Sequence, residues 1–576
     1  MNFVNMTRRA NLLSLSSQPK MTEAILKGDI QHVKELIKSG AESVSETDNH
    51  KRSFLHLAAA IGATEVCRIL LSAGARVDAK DKQQLTPIHR ACRENHDDVV
   101  AVLLGANADS NARDTNWVTP LQVCAANNAL ECARLIITKV VNVDSSDRGG
   151  ATALHHAAFN GSCDIITFLL KANASPNAFD KIERRPLHVA ASQDNIDAIR
   201  LLVQNGATLN PRDKQLRTPL HYAALQGSVN AIQALIELGA DPTVVDNEGN
   251  SPLHLACLSG QDDVIDELLI ASDSVMNLPN KMGITPLHCA AASTSGTACL
   301  EAITAYQGPA ITDDDLEADG SLKPASARRT GTPLLVDARD KAGRTPMHLA
   351  AKFGRLARVQ ELIRVGGDPN ASDRSMQTPL HYAVRSGHTQ VIECLLALPH
   401  VDANIMDAAG MTPLHHAAFY GLSSAVGFLL KSPKAATPMI HDITGRYPHF
   451  LAAYSGNVDS LRLLLPPDYE YHGILDNFER SPLHYAAAVG SNGNQCLEYL
   501  LELRRPVLGD ENSVDPQSGR RIVKSEPMFN VNQSDIFGRT PFHYAAGADS
   551  DGRVVELLLQ VCYQHVLSCL TFKMQF

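Results

Sequence analysis

Thr218-Pro219-Leu220-His221-Tyr222-Ala223-Ala224-Leu225-Gln226-Gly227 is the stretch that decides the fold. Thr218 stands where an N-cap hydroxyl accepts a free backbone N–H at a helix start. Pro219 follows at the first helical position, where its missing N–H is no loss. Ala223 and Ala224 let a neighbouring helix approach closely. Gly227 supplies the left-handed residue that stops a helix. Near copies recur along the chain. The histidine position falls at His56, His89, Gln122, His155, His188, His221 and His254, in steps of 33 residues. It continues at His288, His348, His381, His415, Phe450, His484 and His543, in steps of 34, 60, 33, 34, 35, 34 and 59. Asn95, Asn128 and Asp194 replace the stop glycine in three copies, and these residue types tolerate the left-handed region. A second helix carries aliphatics at helical spacing, as in Val99, Val100, Val102, Leu103 and Leu104. A Gly-Ala turn then leads to the next copy. The period predicts an all-α solenoid of about 15 helix-turn-helix repeats with short hairpin fingers between them.

Composition agrees with such an array. The chain has 576 residues, more than one hydrophobic core organises, with 44% hydrophobic and only 5% aromatic residues. That suits a core of alanine and leucine. The net charge of −10 argues against a general nucleic-acid binder. No stretch is apolar for long enough to span a bilayer, so no direct membrane insertion is expected. The 12 cysteines form no CxxC pair, and several, such as Cys92 and Cys257, take small core positions. They read as reduced thiols in a protein of the cytoplasm or the nucleus.

Residues 1–20 lack the pattern and read as a disordered N-terminal segment. Repeats fill 21–305, 334–504 and the start of 531–576, and residues 21–39 read as the helical part of a capping repeat. The two long steps leave extra residues at 306–333 and 505–530. Both stretches are polar and aperiodic, and both are expected to be disordered insertions. After Leu559 the Gly-Ala turn is missing and an apolar tail runs to Phe576, read as irregular. It is either an irregular cap or the mark of a shortened product, and the second is the preferred expectation.

The Thr-Pro-Leu-His motif, the alanine pair and the spaced glycines resemble the ankyrin repeat over roughly residues 21–560. Five blocks stand out, Leu85–Ala91, Asn111–Trp117, Ala153–Phe159, Asn177–Lys181 and Ala290–Thr294, and of these Trp117 and the Ala-Ala-Ser-Thr element do not belong to the generic repeat. In this order they are similar to the N-terminal half of the regulatory ankyrin-repeat subunits of serine/threonine protein phosphatase 6. The resemblance implies a non-catalytic subunit that joins the phosphatase 6 catalytic subunit through a SAPS-domain-type regulatory subunit. It further implies a role in recognising phosphoprotein substrates. A general ankyrin adaptor for membrane or cytoskeletal proteins is the alternative. That reading calls for spectrin-binding or death-domain segments, of which the sequence has none.

No enzyme, cofactor or metal is expected from the residues. The recurrent histidines are about one helix spacing of 8–10 Å apart, too far to share a metal, and they read as loop-to-helix hydrogen-bonding groups. Partner contacts are expected elsewhere. Counting from the motif histidine, positions −7 and −4 lie in the finger. Lys82, Arg148, Lys181 and Lys214 stand at −7, and Arg184 and Arg217 at −4. They predict a basic stripe on the order of 40 Å long, suited to an acidic or phosphorylated partner. Trp117 takes a finger position where seven other copies have glycine, and is read as an exposed anchor. Phe159, Phe419 and Tyr420, at +4 and +5, are read as aromatic contacts on the concave face.

Overall fold

The computed structural model describes residues 20–40, 42–295, 297–306, 334–431, 436–466, 475–508, 523–548 and 552–573. The chain divides into two units, residues 1–280 with 306–332, and residues 281–305 with 333–576.

The local chemistry recurs in most repeats, and that of His221 shows it. The helix Pro219–Gln226 begins after Thr218, whose backbone is extended at φ −93°. Thr218 N–H donates to His221 Nδ1 at 3.2 Å, and the Thr218 hydroxyl lies 2.9 Å from the same nitrogen. Nδ1 is therefore an acceptor, and the ring proton sits on Nε2. From there it donates to the Asn250 carbonyl in the next repeat, at 3.0 Å. One side chain thus closes its own helix and ties it to its neighbour. The helix ends on Gly227 at φ 75°. The second helix, Val229–Glu237, packs Ile232 and Leu235 inward beside Leu220, Ala223 and Ala224, all at most 1% exposed. Each large aliphatic side chain so buried contributes about 1.5–3 kcal/mol.

In the first unit this pairing begins with Lys20–Lys27 and Ile30–Ser39, as expected of a capping pair. It runs on to Pro252–Ser259 and Ile265–Ala271. The second unit runs from Pro286–Ala292 and Ala298–Ala305 to Pro541–Ala548 and Arg553–Lys573. Asn95, Asn128 and Asp194 hold φ of 59°, 54° and 57°, doing the work of the missing stop glycines.

Within each unit, successive fingers are joined by one backbone hydrogen bond each, from the N–H at −7 to the carbonyl at −6 of the preceding finger. In the first unit these are Lys82 to His50, Thr115 to Gln83, Arg148 to Asn116, Lys181 to Gly149, Lys214 to Ile182 and Asn247 to Gln215, at 2.7–3.0 Å. In the second unit Lys341 N–H reaches the Met282 carbonyl at 2.9 Å, and His288 Nε2 reaches the Arg344 carbonyl at 3.0 Å. These bonds join fingers on either side of the first long step as if it had the ordinary length. Ile536 to Phe478, at 3.1 Å, does the same across the second.

Of the segments expected to be disordered, residues 1–19, 307–333 and 509–522 lie outside the described residues. The expectation for 505–530 is corrected at both ends. Strand β1 (Arg504–Leu508) pairs antiparallel with β2 (Val523–Pro527), in register Arg504 with Pro527 through Leu508 with Val523. Met528 N–H then donates to the Leu503 carbonyl at 3.0 Å, and Met528 and Phe529 are buried. The pairing satisfies backbone groups that an open loop would leave to water. The tail is corrected as well. Arg553–Lys573 is one helix of 21 residues, not an irregular tail. Its sequence holds no glycine or proline to stop it, and Val554 and Leu558 are buried.

Candidate functional site

The finger is built around an aspartate eight residues before the motif histidine. It stands in every copy except that of His288, where Asn280 replaces it. Asp180 is typical. Its Oδ1 accepts N–H groups from Ile182 at 3.0 Å and Arg184 at 2.9 Å, which folds the tip. Its Oδ2 points inward and takes Arg184 Nε at 2.9 Å. The same pair recurs as Asp48 with Arg52, Asp340 with Arg344, Asp442 with Arg446 and Asp476 with Arg480, at 2.6–2.7 Å. Burial alone would raise the Asp340 carboxyl. The Arg344 side chain and backbone N–H outweigh it and hold the carboxyl below its ordinary value.

This changes the basic stripe. Arg184 is engaged by Asp180, and Arg217 lies 3.6 Å from Asp246 Oδ2. Neither is the free, exposed cation the sequence reading took it for, because an inward-facing carboxylate needs a hydrogen-bond donor or a positive charge beside it. Lys82, Arg148, Lys181 and Lys214 are exposed, and none joins an ion pair among the described residues. These four stand on consecutive rungs of the finger ladder, with Thr115 between the first two. The aspartate ring was open to sequence reading, since Asp at −8 recurs as regularly as the histidine. Counting cations alone missed it.

Trp117 holds φ 64° at the tip of its finger and is 49% exposed, with the Arg113 guanidinium 5.6 Å from the ring centroid. Phe159 closes the helix Ala153–Asn160 on its exposed side and is 52% exposed. The second unit brings Phe419, Tyr420 and Tyr454 together. The Phe419 and Tyr454 rings stack at 6.1 Å, Phe419 meets Tyr420 edge-on at 5.2 Å, and the Arg385 guanidinium lies 5.9 Å from the Tyr420 centroid. All three rings are more than a third exposed.

Among the described residues no group of histidine, cysteine and acidic side chains is placed to hold a metal ion. No helix is long and apolar enough to cross a membrane, again among the described residues. Most of the described cysteines fill core positions. Cys92, Cys124 and Cys132 have no exposure, and burial pushes the Cys67 thiol up to about 12. Thiols so placed are poor nucleophiles.

The sequence pattern of the family "Ankyrin repeats (3 copies)" matches residues 21–114, 107–180, 179–246, 232–315 and 347–442. Rabankyrin-5 of Mus musculus is 26% identical over 167 residues, 29% of this chain and 14% of that protein. Inversin of Homo sapiens is 28% identical over 232 residues, 40% of this chain and 19% of that protein. Human ankyrin repeat domain-containing protein 63 is 39% identical over 61 residues, 11% of this chain and 16% of that protein. The chain thus spans less than a fifth of the length of each of these relatives. A crystal structure of the ankyrin repeat domain of Bcl-3 aligns with 26% identity and a TM-score of 0.33, over 36% of this chain and 95% of that one. With capped helix pairs, tethered fingers and a family pattern covering more than half of its residues, the chain belongs to the ankyrin-repeat family and is a scaffold for protein–protein interaction.

Proposed function

We propose that this scaffold is a non-catalytic regulatory subunit of a protein phosphatase 6 complex. In this reading it joins the catalytic subunit through a SAPS-domain-type regulatory subunit and helps recognise phosphoprotein substrates, in the cytoplasm and the nucleus. One observation carries the reading. Among the blocks that resemble those subunits, three aromatic side chains point outward. Trp117, Phe159 and Phe179 are 49%, 52% and 66% exposed, and Lys181, two residues after Phe179, is exposed as well. Side chains that the fold does not need, held in solvent, are available for a partner.

The test is affinity purification of the tagged chain from cell extract, followed by mass spectrometry. Recovery of a phosphatase 6 catalytic subunit together with a SAPS-domain protein is expected. Their absence, with other partners recovered in quantity, would sink the assignment. The purified chain alone is expected to turn over no phosphopeptide, and phosphate release by it would count against a non-catalytic subunit.

A further inference from the structure

We propose that the finger edge from Lys82 to Lys214 is a docking strip for an extended acidic segment of a partner protein. The cations hold it along its length, and Trp117, Ile182 and Leu216 receive its apolar side chains. This deepens the scaffold reading and rests on it, but not on which complex the scaffold serves.

The first observation is the apolar tip. Position −5 must adopt positive φ, because the finger reverses there. Gly150 shows how tight the slot is, since an added Cβ would lie 2.6 Å from the Lys181 nitrogen. Lys51, Gln84 and Glu183 also occupy this slot at positive φ, and as polar residues they are at home in water. Trp117 and Leu216 are not. They hold φ 64° and 60°, a region that disfavours any residue with a Cβ, and remain 49% and 41% exposed. Among the described residues, both side chains are left about half in solvent. Ile182, one finger before Leu216, adds a third apolar tip at 45% exposure, while Gly149 and Gly150 leave the finger after Trp117 bare.

The second observation is how charge is sorted. Of the strip's finger aspartates, Asp81, Asp180 and Asp213 are 3–5% exposed and Asp114 and Asp147 are half-buried, and the carboxylates accept finger N–H groups. Lys82, Arg148, Lys181 and Lys214 face solvent, and among the residues at the tips Glu183 and Glu248 are the exposed acids. The edge is therefore positive, in a chain of net charge −10. The chemistry of the cations narrows the partner further. A phosphate is clamped best by the planar fork of arginine, and Arg184 and Arg217 face aspartates instead. Three of the four free cations are lysines, point charges suited to carboxylates spread along a chain.

The third observation is length. Trp117 and Leu216 are three repeats apart, on the order of 30 Å at ordinary helix spacing. An extended chain rises about 3.3 Å per residue, so the partner's end anchors should lie roughly nine residues apart.

Trp117 is the single tryptophan of the chain and reports on the strip without a label. The probe is a synthetic glutamate-rich peptide of roughly 14 residues with two leucines about nine apart. It should shift Trp117 emission to the blue and protect it from iodide quenching. Lys82→Glu, Lys181→Glu and Lys214→Glu together should weaken binding on the order of tenfold at low salt and flatten its salt dependence. Trp117→Gly, followed with a labelled peptide, should weaken binding by a similar factor at every salt concentration. It should leave the melting midpoint unchanged or higher, since glycine suits the positive φ. A peptide with serines for leucines should bind more weakly while keeping its salt dependence. Unchanged Trp117 emission at saturating peptide would overturn the proposal. So would equal binding by the triple variant, or a phosphoserine peptide that binds more tightly and ignores Trp117→Gly. Capture of the phosphatase complex is read separately. If the peptide fails while the complex is captured, the strip falls and the assignment stands. If the peptide binds and no complex is recovered, the strip stands and the assignment falls.

Discussion

At the scale of single residues, the motif histidine is a neutral connector held in one tautomer. Gln122 stands in the same slot and makes the case within the same chain. Its Oε1 accepts Thr119 N–H at 2.8 Å, as Nδ1 does elsewhere, and its Nε2 donates to the Ala151 carbonyl at 2.9 Å, as the ring Nε2 does. An amide replaces the ring only if the ring is neutral with its proton on Nε2. Burial, partly offset by the carbonyl each ring meets, pushes His188, His221 and His415 down to about 4. In the unfolded chain they titrate near the ordinary value of about 6.5. The unfolded state therefore binds protons first as pH falls. The stabilisation is complete above about pH 6.5 and is lost as pH falls through about 4, on the order of 3 kcal/mol for each such histidine. His221→Gln is expected to leave the melting midpoint nearly unchanged at pH 7 and to reduce its drop between pH 7 and pH 4.5. A variant as acid-labile as the parent would refute this account.

At the scale of the element, most finger aspartates find a partner for the inner oxygen at one or both of two places. The partner is the arginine at −4, or the residue just after the motif histidine. Tyr222 serves Asp213 at 2.7 Å, Tyr382 serves Asp373 at 2.9 Å and His416 serves Asp407 at 2.8 Å. Where the arginine is present, as in the finger of Asp340, the second place holds Leu349, which is buried. Arg344→Met should leave the Asp340 carboxylate short of a partner and lower stability by about 1–3 kcal/mol. Adding Leu349→Tyr should restore much of that loss, measured as the shift in urea midpoint. No rescue by the tyrosine would show that the two places are not equivalent. Half of this pattern was legible in the sequence, since the aspartate and both partner positions recur at fixed spacing. Which cation stays free was not. Arg184 and Lys181 are three residues apart and equally basic, and only the folded finger turns one inward and the other out.

At the scale of the whole molecule, each repeat leans on its neighbours through local bonds, so stability sums over repeats and interfaces. The ladder bonds Lys341 to Met282 and His288 to Arg344 cross the first long step without using the inserted residues. Excising residues 309–331 is therefore expected to change the melting midpoint little, because the loop-closure entropy gained is under about 1 kcal/mol. A large fall in midpoint would assign the insertion a structural role. The β1–β2 pair is the contrary case. Helical periodicity is blind to a hairpin of five-residue strands joined by a long polar connection, since its partner groups are separated in sequence and found only in space.

Sequence alone determined the repeat, its caps, its stops and the scaffold class. These depend on residue types at short fixed spacing, where each helix start and turn is satisfied within a few positions. The exposed tip of Trp117 was also legible, because a bulky residue in a glycine slot stands out by comparison with its copies. Tertiary structure alone decided which cations remain free, that β1 and β2 pair, and that Arg553–Lys573 runs on as one helix. In the case of the cations the reason is the burial of a carboxylate. Once the finger closes, the inner oxygen of a buried aspartate such as Asp180 leaves water and must be matched by whichever donor reaches it, a choice made by distance in space and not by position along the chain.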